Sequence, residues 1–175
     1  SRFLLALLSI AVFVTCKAQD KVPVYTIMHG IETNVLSEFP GHPEWGFSKL
    51  RKNIHSSITS TAAKSIVLPA PDTQELTPSQ LYSKRMDGAL IFGKMYVCNE
   101  CPRLHISLIA TASAVTADGV CLTNYHMVHP IVSGDPSLCT GDSVYFVADR
   151  DGVCYPVTEI MAYSRDEDAA VIRVD

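Results

Sequence analysis

Two short stretches of this sequence carry side chains that could do chemistry together. LTNYHMV, residues 122–128, contains His126, and RDEDAAVI, residues 165–172, contains Asp168. The unperturbed pKa of histidine lies near neutrality, so it can both take and return a proton at ordinary pH. A carboxylate that accepts from one ring nitrogen fixes the tautomer and leaves the other nitrogen as a base. Such a pair serves hydrolysis by an activated nucleophile. Taken singly, each residue has a plainer reading: His126 is a polar residue at a strand end, and Asp168 is a loop carboxylate facing water. The small apolar run Ala169-Ala170-Val171-Ile172 directly after Asp168 favours a carboxylate held against protein. Asp166 is the alternative register, but it does not stand directly before that run.

Positioning the pair calls for a β framework. GALIFGKMYV, ISLIATASAVT, GVCLTNYH, DSVYFVAD, VCYPVTEIMAY and AAVIRV are short runs rich in β-branched, aromatic and alanine residues. Asp118-Gly119 separates two of them and Asp149-Arg150-Asp151-Gly152 two others. Glycine there supplies the positive φ that tight turns need. Short strands joined by tight turns predict an all-β class, an antiparallel barrel or sandwich. No run between them has the length and period of a crossover helix. Ahead of them, TPSQLYSKRM has an N-cap threonine and a proline at the first helical position, which predicts a short helix. Residues 19–76 form an extension with no chemical motif, although PEWGFSKLRKNIHSSI has room for a short amphipathic helix. His29, His42 and His55 are taken there as ordinary surface or partly buried histidines.

The stretch SAVTADGVCLTNYHMV, residues 113–128, resembles the histidine region of trypsin-like serine proteases, and most of all bacterial Deg-type (high-temperature-requirement) enzymes. The order continues through DSVYFVADRDGVCYPVTEIMAYSRDEDAAVIRV, which is similar to that family's strand, turn, strand and aspartate motif. The resemblance spans residues 77–175. It implies the first β-barrel of such a peptidase, with His126 as general base and Asp168 as its partner. It implies protein or peptide substrates and no cofactor.

The family's nucleophilic serine lies in a G-x-S-G motif after the aspartate, within a second barrel. Only seven residues follow Asp168 here, so the nucleophile, oxyanion hole and substrate pocket are expected downstream, on a longer protein. Without that half, apolar residues of VYFVAD and AAVIRV are expected to face water. Thr140-Gly141-Asp142-Ser143 imitates a nucleophile motif, but Val144 and Tyr145 follow where glycines should stand. Ser143 is therefore expected to begin a strand, and Ser133-Gly134-Asp135 to be a loop.

The first eighteen residues place Arg2 before the apolar run FLLALLSIAVFVTC and end on Ala18, the pattern of a cleaved signal peptide. The run is shorter than the ~20 residues a spanning helix needs. A lipoprotein anchor at Cys16 ranks second, because Val14 and Thr15 precede it. A periplasmic or secreted location follows, and no later segment is long and apolar enough to span. After cleavage, twelve basic residues face eighteen acidic ones, without a basic stripe, which argues against nucleic acid. Oligomeric state leaves no signal. Five cysteines remain: Cys98, Cys101, Cys121, Cys139 and Cys154.

Cys98 and Cys101, with His105 four residues on, admit three readings. A redox pair wants a helix at the first cysteine, whereas Pro102 and a β run follow. A disulfide staple ranks first. Zinc ranks second and would need a fourth ligand from Cys121, Cys139 or Cys154. Without such a site no metal is called for. The sequence thus points to an exported serine endopeptidase. The alternative is a protease-like binding or chaperone module that has lost its nucleophile, or, in a third class, a zinc-ribbon interaction domain.

Overall fold

In the computed structural model, which describes residues 24–59, 66–71, 73–98, 100–101, 103–135 and 143–175, six strands close into one antiparallel barrel. They are β1 (Ala89–Val97), β2 (Leu104–Ala114), β3 (Val120–Thr123), β4 (Val144–Ala148), β5 (Cys154–Ser164) and β6 (Ala169–Val174). Their order around the barrel is β1-β2-β3-β6-β5-β4, with β4 returning to β1. This is the all-β antiparallel barrel expected from the sequence, and each predicted run contributes a strand. The signal segment, Cys16 and Cys139 lie outside the described residues.

The hairpins form where glycine permits them. Gly119 at φ +87° carries the β2–β3 turn, and Gly152 at φ +84° the β4–β5 turn. Beside Gly152, Asp149 Oδ1 accepts from the Asp151 and Val153 amides at 2.9 and 3.0 Å, an Asx-type turn.

Four α-helices are present among the described residues: α1 (Val24–Glu38), α2 (Phe47–Thr59), α3 (Pro78–Arg85) and α4 (Tyr125–Ser133). In α3, Thr77 accepts from the Gln80 amide while the Gln80 side chain returns to the Thr77 amide, a complete capping box. α2 is the amphipathic helix expected in PEWGFSKLRKNIHSSI, and α1 was not foreseen. β4 shows why both matter. All five of its residues are buried, although a strand presents alternate residues to opposite faces. Tyr145 and Val147 join the inner core with Phe92, Val157, Ile160 and Ile172, together with Phe47, Leu50 and Ile54 of α2 and Val128 and Ile131 of α4. Val144, Phe146 and Ala148 join a second cluster outside, beneath Ile31 and Val35 of α1 and Phe39. Both faces of β4 are thus roofed.

That roof corrects the expectation of an uncovered barrel. VYFVA is buried throughout, and no residue of β6 is more than partly exposed. The chain's own N-terminal helix covers the outer face of β4. Polar contacts fix the two helices on the barrel: Asn34 Oδ1 accepts from the Cys154 amide at 3.0 Å, and Asn53 donates to the Thr158 carbonyl at 2.7 Å. No described helix is long and apolar enough to cross a membrane.

Candidate functional site: a histidine and an aspartate across one barrel edge

β3 and β6 pair with Thr123 opposite Ala170. The residues that follow Thr123 therefore meet those that precede Ala169, and that register brings His126 to Asp168. The Thr123 hydroxyl, largely buried, donates to the Thr111 carbonyl at 2.9 Å and holds this corner.

His126 does not end a strand, as the sequence predicted. It lies in the first turn of α4, whose N-cap residue is Asn124 and whose C-terminus is stopped by Gly134 at φ +65°. The strand reading failed because Pro130 interrupts the helical pattern in sequence, yet the helix passes through it. The local signals of a helix were present, with asparagine before the run and glycine after it.

Asn124 makes no side-chain capping bond of its own. Its amide group instead donates to the Asp168 carboxylate at 3.2 Å and to the Asp168 carbonyl at 3.2 Å. The capping task passes to Asp168, whose Oδ1 accepts from the His126 backbone amide at 3.0 Å. The first amides of a helix have no partner within it, and a negative charge there also faces the positive end of the helix dipole. The same carboxylate accepts from His126 Nδ1 at 2.9 Å through Oδ1 and at 2.7 Å through Oδ2. An ionised carboxylate can only accept, so Nδ1 carries the proton and the Nε2 lone pair is left available. Among the described residues no side chain hydrogen-bonds that Nε2.

Asp168 adopts φ +45°, the single non-glycine residue with positive φ among those described. Aspartate tolerates this region better than most side chains, and such strain clusters at working sites. The bonds lower its pKa below the ordinary carboxylate range, the His126 backbone amide first, with partial burial opposing. A buried carboxylate was expected, and here the structure differs. The His126 side chain is 59% exposed and that of Asp168 45%, because this edge of the barrel is open. Asp166 points to no alternative register; it is exposed in the turn before Asp168. His129 is exposed, with its ring edge-on to Tyr125. Ser143, 1% exposed, precedes β4 as expected, and its carbonyl accepts from the Phe47 amide at 2.8 Å.

The described cysteines are free thiols. Cys98 and Cys101 lie at the β1–β2 hairpin end, with sulfurs 3.2 Å apart and Cys101 Sγ 3.0 Å from His105 Nε2. The Cys98 thiol is held below its usual pKa, chiefly by its hydrogen bond with Cys101. Cys121 and Cys154 are buried in the two cores. Burial raises both thiols, Cys154 to about 12 with the help of Asp149.

No family model matches the sequence, and no curated protein does. Among solved structures, the chain is similar to the HtrA-type protease AlgW with a decapeptide, at 18% identity and a TM-score of 0.42. The match covers 57% of this chain and 33% of that one. The chain therefore spans about a third of the length of that protein.

Proposed function

We propose that this chain supplies the general base and its aspartate to a serine endopeptidase, whose nucleophile comes from a segment beyond this sequence. The observation that carries the reading is the 2.7 Å bond between His126 Nδ1 and Asp168, with Nε2 unoccupied by any described side chain. In this mechanism a serine hydroxyl approaches Nε2 and gives up its proton as the oxygen attacks a peptide carbonyl. The imidazolium forms beside Asp168, whose charge stabilises it, and then protonates the leaving amine. The open edge around His126 fits a second half-domain seated there, and Leu122 and Tyr163, 46% and 37% exposed, are apolar surface for it. Protein or peptide substrates, a signal-directed periplasmic or secreted location and independence of any cofactor belong to the same proposal.

The test is made on the longer protein. His126→Ala removes nearly all peptide hydrolysis, and Asp168→Asn lowers kcat by about ten-thousand-fold through the wrong tautomer. Hydrolysis unchanged in His126→Ala would sink the assignment. Peptide binding without hydrolysis in the unaltered protein would instead favour the binding module.

A further inference from the structure

The Cys98, Cys101 and His105 side chains are not used by the mechanism above, yet the fold converges them. β1 and β2 pair with Tyr96 opposite His105 and Val97 opposite Leu104. Directly opposed residues share a face and alternate residues return to it, so Tyr96, His105 and the next position of that face, Cys98, project together. The His105 ring stacks on Tyr96 with centroids 5.5 Å apart, and Lys94 sits 4.9 Å over the far neighbour's ring, that of Tyr96. His105 is thereby held with Nε2 toward Cys101, at 3.0 Å. All three ligand atoms lie within 4.8 Å of one another, each residue half-buried.

We propose that Cys98, Cys101 and His105 bind one zinc ion at the end of the β1–β2 hairpin. Two thiolates and an imidazole suit zinc, with Zn–S near ~2.3 Å and Zn–N near ~2.0 Å. Tetrahedral bonds of that length set the two sulfurs about 3.8 Å apart and a sulfur and nitrogen about 3.5 Å apart. The observed 3.2 and 3.0 Å require each pair to open by roughly half an ångström. A disulfide would instead need the sulfurs to close to about 2.05 Å, and it would leave the placement of His105 unexplained. Among the described residues neither Cys121 nor Cys154 joins the group, and water takes the fourth position of the proposed site. On binding, two thiol protons are released to solvent and the cysteines coordinate as thiolates. From His105 to Thr111, which anchors the His126 corner, β2 runs six residues, about 20 Å. The ion therefore pins the hairpin and does not take part at His126.

The experiment uses the full chain, reduced and stripped of metal. Zinc titrated against a chromophoric chelator binds one per chain, with release of protons. Cobalt(II) in its place gives thiolate charge-transfer bands of a tetrahedral site. Cys98→Ser and Cys101→Ser each weaken binding by at least about 100-fold and His105→Gln by at least about tenfold, since even supporting groups of metal sites are worth 10–100-fold. Cys121→Ser leaves affinity unchanged. In the unaltered chain, zinc protects Cys98 and Cys101 from alkylation, a readout that needs no variant to fold. Failure to bind zinc, zinc that persists in the Cys98→Ser, Cys101→Ser double variant, or a Cys98–Cys101 disulfide that forms in air despite excess zinc overturns the proposal.

Discussion

Asp168 accepts from a helix amide, an imidazole and an asparagine at once, and this sets its pH response. Its pKa is depressed in the folded chain, so the stabilisation it gives is present above the ordinary aspartate value near ~3.9 and is lost only as pH falls through the lower folded value. Hydrogen exchange of the His126 amide should therefore stay protected down through pH ~4 and open below it. Protection lost at higher pH would show that the carboxylate does not cap α4. Thiol chemistry divides the cysteines in the same way. Cys154, pushed up to about 12, and Cys121, also raised, should resist alkylation at pH 8 in the folded, metal-free chain, whereas Cys98 and Cys101 react. Mass spectrometry of peptides gives the order, and early labelling of Cys154 would contradict it. Legibility was uneven at this scale. His126 and Asp168 stand in linear motifs and could be paired from sequence, whereas the role of Asn124 depends on a register between β3 and β6 that no local stretch encodes.

Elements with strong local punctuation were legible. The β2–β3 and β4–β5 hairpins are marked by Asp118-Gly119 and Asp151-Gly152, and α3 announces itself by Thr77, Pro78 and Gln80. α4 was missed because β-branched and apolar residues surround Pro130. α1 was missed because its apolar residues do not mark one face sharply: Tyr25, Met28 and Leu36 are exposed while Ile31 and Val35 are buried. The docking of α1 depends on a close backbone approach to the β4–β5 turn. A Cβ on Gly152 would lie 3.0 Å from Gly30 Cα and from the Ile31 amide nitrogen, at a φ of +84°. Gly152→Ala should thus strain the turn and lift the helix together, at a cost of at least about 1–3 kcal/mol. Chemical denaturation measures it, and a neutral result would mean that α1 does not rest on this turn.

At the scale of the whole molecule, residues 24–38 decide whether the barrel is stable by itself or needs its N-terminal helix. A detachable extension would leave the barrel folded when α1 is impaired. The burial pattern argues otherwise, since the outer face of β4, with Val144, Phe146 and Ala148, and Met95 of β1 are closed by Ile31, Val35 and Phe39. Burying Ile31 and Val35 of α1 is worth roughly 3–6 kcal/mol, at about 1.5–3 kcal/mol each. That is comparable with the ~5–15 kcal/mol by which whole domains are stable. Removing the roof also leaves Phe146, fully buried now, as part of an apolar patch on an otherwise paired strand, and such patches promote association. The Ile31→Asp, Val35→Asp double variant keeps chain length and places charge at both contacts. It should lose cooperative thermal unfolding, bind a hydrophobic dye and aggregate at concentrations where the parent chain stays dispersed. His126→Ala, a change at the exposed edge, should do none of these. A double variant that unfolds as cooperatively as the parent, at the same temperature, would mean that the barrel stands without α1.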